Sequence, residues 1–182
     1  MRYPLINIPN VLSVLRGVCA PVFLWAVLTE CWVIAFGVTV YAVVSDLIDG
    51  PIARRLSQAT DLGTRIDHTA DFIFSFIGLV SLAIHDGSVV PAALPLLQLC
   101  AFLEYTYTGP QSHKSLLPSR LGKYNGISYF VVVATVTTQY TFQLDWIPSD
   151  LILGFCWLLV ASTVISMIFR IVIRIRDKQN GP

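Results

Sequence analysis

Four aspartates fall in two pairs within residues 45–71, SDLIDGPIARRLSQATDLGTRIDHTAD. Asp46 and Asp49 are three residues apart and Asp67 and Asp71 four, and either spacing puts two carboxylates on one face of a helix. Two such helices side by side point four carboxylates at one spot. In a membrane a lone ionised group costs at least ~2.5–3.5 kcal/mol, so the cluster calls for a cation between its members. The donor set is oxygen only, with neither His nor Cys in the pattern, which selects a hard divalent ion such as Mg2+, Mn2+ or Ca2+ over zinc. Gly50 and Ala53 follow on or beside the Asp46 face, where small residues let a bulky ligand approach the backbone. Arg54 adds a fork of donors suited to phosphate, so metal, small residues and arginine together describe a diphosphate site. Arg55 reads as an interfacial anchor.

The elements that carry these residues are apolar. The chain has 182 residues, 55% of them hydrophobic and 13% charged, with a mean hydropathy of +0.69. An ordinary soluble domain is about 25% charged, so the composition predicts one all-α integral membrane domain over residues 1–182. A short interfacial segment, MRYPLINIPN, leads in, with Asn10 placed to cap the helix after it. Six spans are expected at about 11–30, 31–56, 62–84, 89–108, 124–142 and 150–172. The first pair of aspartates lies at the end of the second span and the other at the start of the third, so the two halves meet at one membrane surface. A signal peptide is the competing reading of the first span. Arg16 interrupts its apolar run and no small-residue cleavage site follows. Arg16 itself either snorkels to the interface or faces the acidic cluster.

With both termini on one side, all twelve Lys and Arg lie on that side, while Glu30, Asp86, Asp145 and Asp150 lie opposite. The positive-inside rule then makes the side bearing the site cytoplasmic, in a membrane expected to be the cytoplasmic membrane of a prokaryote. The four cysteines, Cys19, Cys31, Cys100 and Cys156, are scattered singly and read as small buried hydrophobes. Phe72, Phe74 and Phe76 read as lipid-facing or packing residues, and nothing in the chain signals nucleic-acid binding.

Written as D-x2-D-G-x2-A-R-x8-G-x3-D-x3-D, residues Asp46, Asp49, Gly50, Ala53, Arg54, Gly63, Asp67 and Asp71 match the signature of the CDP-alcohol phosphotransferases at every fixed position. The resemblance implies transfer of a phosphatidyl group from a CDP-linked lipid such as CDP-diacylglycerol to a small alcohol, with release of CMP. It implies that Asp46, Asp49, Asp67 and Asp71 ligate the metal, with Asp71 also the catalytic base for the incoming hydroxyl. Two Mg2+ or Mn2+ ions about 3.5–4 Å apart would activate the acceptor oxygen and stabilise the departing phosphate. Gly50, Ala53, Arg54 and Gly63 would hold the diphosphate and give the cytidine room, and a homodimer is expected from the family.

The segment INIPNVLSVLRGVCAPVF is similar to the start of phosphatidylglycerophosphate synthases, with Ser13 where threonine is usual. That makes glycerol 3-phosphate the leading acceptor, for which Lys114, Arg120 and Lys123 could supply cations or simply form a solvated positive loop. The chain departs from those synthases at His68, Phe72 and Tyr124-Asn125-Gly126, so serine, inositol phosphate or another polyol stays open as acceptor, as does an ether-linked donor. His68 reads as structural or as a neighbour of the ligands, His113 as a solvated loop residue. Glu104 could bind an acceptor hydroxyl or pair with Arg16. A rival of another class is a cation-coupled transporter, whose acids would be spread through the membrane depth. A scaffold that has kept the signature without turnover is a third, against which Asp71 speaks.

Overall fold

A computed structural model describes residues 8–55, 60–108, 120–144 and 146–179. These residues form six helices: α1 (Ile8–Leu28), α2 (Trp32–Arg55), α3 (Asp61–His85), α4 (Ala93–Thr108), α5 (Arg120–Phe142) and α6 (Ser149–Gln179). No strand occurs among them. Segments at 10–28, 32–49, 62–85 and 149–173 are long and apolar enough to cross a membrane. Two of the six expected spans, α4 and α5, are not among them. At 16 residues α4 is about 24 Å long, short of a hydrocarbon core of about 30 Å. Helix α5 is 23 residues long, but Lys123, Asn125, Gln139 and its threonines dilute its apolar run.

Helix ends follow local chemistry. Glu30 has φ 56°, and Cys31 N–H donates to the Ala26 carbonyl at 2.8 Å while Glu30 N–H donates to that of Val27 at 3.1 Å. This paired closure ends α1 and reverses the chain into α2, at a position that favours glycine. Thr60, extended at φ −135° and ψ 154°, caps α3 by accepting the Gly63 N–H at 2.9 Å. At the far end of α3, Asp86 accepts from Ser88 N–H at 2.9 Å, Ser88 Oγ at 2.6 Å and Tyr140 Oη at 3.0 Å. Those bonds hold its carboxyl below the ordinary carboxylate range, the Ser88 hydroxyl contributing most. Pro91 and Pro95 flank the start of α4, where a missing N–H costs no helix bond, and α4 accordingly begins at Ala93.

Helix α1 is the hub, packed most extensively against α3 and α2, while α5 lies against α2, α3 and α6, and α4 against α3 and α6. Ala20, Phe23, Ala26, Ala35, Ala42, Phe74, Leu79, Val132 and Val133 are buried at this centre. Phe74 meets Phe23 edge-on with centroids 5.7 Å apart and stacks on Phe130 at 5.6 Å. At Gly78 a Cβ would stand 3.0 Å from Val133 Cγ2, so the glycine sets the close approach of α3 and α5. The short connections make α1, α2 and α3 antiparallel in turn. The starts of α1 and α3 and the end of α2 therefore share one end of the bundle, and the acidic pairs lie there.

Several sequence expectations change. Asn10 is inside α1, which already runs from Ile8, and is buried instead of capping the helix; residues 1–7 of the expected interfacial segment lie outside the described residues. Of the cysteines only Cys156 is buried; Cys100 is exposed and Cys19 and Cys31 are half-buried, because the one-sided packing of each helix leaves apolar side chains facing outward. Phe74 is core, and Phe72 stacks on Phe102 of α4 with centroids 3.7 Å apart. Helix α6 continues past the expected end at 172 to Gln179.

Candidate active site

Arg16, about two turns into α1, has a fully buried side chain and stands at the centre of the acidic cluster. Its Nη2 donates to Asp49 Oδ2 at 2.6 Å, and Nη1 reaches Asp46 Oδ1 at 3.2 Å and Asp67 Oδ1 at 3.4 Å. Nη1 also pairs with Asp71 Oδ1. The remaining donor, Nε, bonds Ser45 Oγ at 3.1 Å, and Ser45 Oγ in turn donates to the Ala42 carbonyl at 2.9 Å. One side chain thus ties the end of α2 and the start of α3 to α1. Of the two alternatives for Arg16, snorkelling and facing the acids, the structure takes the second.

The four carboxylates are graded in exposure, with side-chain values of 7% for Asp49, 27% for Asp71, 31% for Asp67 and 48% for Asp46. Asp49 forms the floor and Asp46 the open rim. Carboxylate oxygens of Asp46, Asp49 and Asp67 lie within 4.8 Å of one another, close enough for one metal ion to bridge them. Asp71 stands outside that trio and joins it through Arg16. One guanidinium offsets only one of four carboxylates. An all-oxygen, strongly anionic donor set could hold a hard divalent metal ion.

Two contacts were not foreseen from the sequence. Ser13 Oγ donates to Asp67 Oδ1 at 3.1 Å, orienting a cluster member from α1. Gly63 lies under Asn10: an added Cβ would sit 2.9 Å from Asn10 Oδ1 and 3.1 Å from Thr60 Oγ1. The space that glycine leaves is thus used by the protein's own α1. The signal was present as a face of α1 at helical spacing, Asn10, Ser13, Arg16 or Gly17, and Ala20, polar or small among larger apolar residues. One turn deeper on α3, Ser75 Oγ donates to the Asp71 carbonyl at 2.8 Å and accepts from Gln98 Nε2 of α4 at 2.7 Å. Helix α4 thereby braces the turn that carries Asp71.

The other predicted residues separate. Gly50, Ala53 and Arg54 fall in the last two turns of α2, but their side chains, like those of Arg55 and Arg120, lie outside the described residues, as do Lys114 and His113 entirely. Lys123 is exposed on the first turn of α5. His68 is exposed on α3 and holds no packing position. Glu104 accepts from Arg170 Nε of α6 at 2.6 Å, and Arg170 Nη1 donates to Ser166 Oγ at 3.0 Å, so its ion-pair partner is Arg170 and not Arg16. The acids needed by a transporter would be spread through the membrane depth, whereas four meet at one guanidinium here.

The sequence model of the family described as CDP-alcohol phosphatidyltransferase matches residues 6–172. A CDP-diacylglycerol--glycerol-3-phosphate 3-phosphatidyltransferase of Aquifex aeolicus is 36% identical over 75 residues, 41% of this chain and 42% of that protein. A cardiolipin synthase (CMP-forming) of Streptomyces coelicolor is 34% identical over 102 residues, 52% of this chain and 46% of its own length. The human cardiolipin synthase (CMP-forming) is 42% identical over 86 residues, 47% of this chain and 29% of its own. The matches span less than half of each of these relatives.

Proposed function

Since the chain belongs to the CDP-alcohol phosphatidyltransferase family, we propose that it transfers a phosphatidyl group from CDP-diacylglycerol to glycerol 3-phosphate and releases CMP. The observation that carries this reading is the convergence of Asp46, Asp49, Asp67 and Asp71, from two helices, on one buried point. Homologues named for glycerol 3-phosphate as acceptor support the choice of alcohol.

A divalent ion of the Mg2+ or Mn2+ class, one or two of them, held by Asp46, Asp49 and Asp67 with Asp71, would neutralise the diphosphate oxygens and so open the phosphorus to attack. The protein supplies the rest. Asp71, outside the bridging trio, takes the proton of the acceptor hydroxyl. The hydroxyl oxygen forms a bond to the phosphorus that bears the diacylglycerol, and the bond from that phosphorus to the CMP oxygen breaks, so the electron pair leaves with CMP. Ser13 orients Asp67 while the cluster's charge changes, and Ser45 holds Arg16 through Nε. Arg54 on the last turn of α2 holds the diphosphate, Gly50 and Ala53 leave room for the cytidine, and Gly63 serves its packing beneath Asn10. Lys123 with Lys114 and Arg120 receives the acceptor phosphate.

The acyl chains reach the site sideways from the bilayer, between helices that present exposed Val14, Val18, Val40, Val44 and Leu47 near it. We place α4 and α5 across the membrane with the other four, and the cluster at the cytoplasmic face of a prokaryotic membrane, on the strength of the basic residues at that end. A homodimer is proposed from family membership alone.

Cardiolipin synthases among the relatives favour a second reading, in which the accepting alcohol is the terminal glycerol of phosphatidylglycerol. An acceptor panel separates the two. Purified protein with CDP-diacylglycerol and Mn2+ is given glycerol 3-phosphate, phosphatidylglycerol, serine, inositol or inositol phosphate, and lipid products are identified by mass. Phosphatidylglycerophosphate as the product supports the proposal, cardiolipin supports the second reading, and a product from another alcohol overturns both.

A further inference from the structure

We propose that Arg16 is a built-in counter-cation that occupies the carboxylate cluster until a divalent ion displaces it, so that this side chain sets how much free metal the protein needs. The inference rests on the reading of the cluster as the metal centre. Arg16 is fully buried, and its two terminal nitrogens hydrogen-bond Asp46, Asp49 and Asp67, the three with oxygens within 4.8 Å of one another, and form an ion pair with Asp71. Guanidinium and metal therefore draw on the same three carboxylates. A Mg2+ ion takes its oxygens at about 2.0–2.1 Å, well inside the 2.6–3.4 Å that separates Arg16 from Asp46, Asp49 and Asp67, and the trio cannot close on an ion with a nitrogen between its members. Arginine cannot yield by losing its proton, as a lysine could. It has to move.

Room for that movement exists next to it. A groove of about 380 Å³, open at the surface, is lined by Leu12 of α1, one turn before Arg16, and otherwise by α2, where Tyr41 and Ser45 are the polar side chains among apolar ones such as Val40 and Val44. Ser45 Oγ already holds Nε and serves as the pivot. One turn away on α2, the Tyr41 hydroxyl is buried and without a hydrogen-bond partner among the described residues, an acceptor available to a guanidinium that has left the aspartates. Arg16 draws the four carboxylates together, and its displacement turns the same carboxylates to the ion. The apparent dissociation constant for metal is then the intrinsic one divided by the fraction of molecules in which Arg16 has left the site, so that with about a tenth of molecules open the apparent affinity is about tenfold weaker.

The test is Mn2+ binding to the detergent-solubilised full chain, read from the free-ion electron paramagnetic resonance signal, for wild type, Arg16→Lys and Arg16→Gln. Arg16→Gln is expected to bind Mn2+ about tenfold more tightly than wild type, equivalent to about 1.4 kcal/mol. Arg16→Lys, which keeps the charge and loses the fork, is expected in between. Arg16→Gln binding no more tightly than wild type overturns the proposal, and so does tighter binding by Arg16→Gln with Arg16→Lys equal to wild type, because net charge alone would then account for the effect. Thermal melting of the same samples guards against a variant that folds poorly without metal: the Mn2+-induced rise in Tm should be larger in Arg16→Gln than in wild type, and an equal or smaller rise contradicts competition. Wild type that binds no Mn2+ at all would instead remove the metal-centre reading beneath the proposal.

Discussion

Gly63 is a signature position at which packing and ligand binding predict different outcomes. A Cβ there would lie 2.9 Å from Asn10 Oδ1, and Asn10 is only 7% exposed, so its side chain has little freedom to retreat. The 3.1 Å approach to Thr60 Oγ1 is milder, since a shift of a few tenths of an ångström relieves it. Overpacking of this kind costs about 1–3 kcal/mol. Alanine regains up to about 1 kcal/mol over glycine in a helix, less near its first turn. Gly63→Ala should therefore lose about 1–2 kcal/mol, a fall in Tm of a few degrees for a chain of this length. Scanning calorimetry or a fluorescence melt in detergent without nucleotide measures it, and the double variant Asn10→Ala/Gly63→Ala should recover much of the loss. A Gly63→Ala protein that melts with wild type yet no longer binds CDP-diacylglycerol would refute the packing argument and return this glycine to the cytidine.

Other outcomes follow from individual contacts. Glu104→Gln leaves Arg170 facing a neutral group in a half-closed setting between α4 and α6 and should cost about 1.5–3 kcal/mol by thermal melting, while Glu104→Asp keeps part of it. Glu30→Gly relieves the left-handed backbone at the α1–α2 turn and should stabilise the protein by about 0.5–1 kcal/mol in the same assay, with no change in metal binding. The Asp86 carboxyl is held below its ordinary range by the Ser88 hydroxyl above all, so its contribution to stability is fully present above the unfolded value near ~3.9 and is lost as pH falls through the lower folded value. Asp86→Asn should accordingly flatten the decline of Tm below about pH 4, and an unchanged acid slope would contradict that assignment.

Much of the site was legible because its information is local. Spacings of three and four residues fix which aspartates share a helix face, and hydropathy fixes that the two helices are neighbours with their acidic ends together. What spacing could not give was the rotation of α1 about its own axis, on which the fate of Arg16 depended: the same residue fits a snorkelling or an inward orientation until the helices are docked. Ser13, Ser45 and Asn10 escaped for the same reason, each acting on a partner in another helix. Glu104 found Arg170, 66 residues away, because α4 packs on α6, an adjacency that no local pattern encodes. Helix α5 read as a span from its boundaries, yet its polar residues pair with α6: Ser162 Oγ donates to Asn125 Oδ1 at 2.7 Å, and the Tyr129 and Thr163 hydroxyls lie 2.5 Å apart. These bonds satisfy groups that lower its hydropathy.

The most direct test of the central claim is CMP release from CDP-diacylglycerol by the purified chain with glycerol 3-phosphate, with Mn2+ or with EDTA, in wild type and Asp71→Asn. The account predicts release that requires both the alcohol and the metal and that falls about 10²–10⁴-fold in Asp71→Asn, the range expected for loss of a general base. Release that persists in EDTA, or that Asp71→Asn sustains at the wild-type rate, would contradict it.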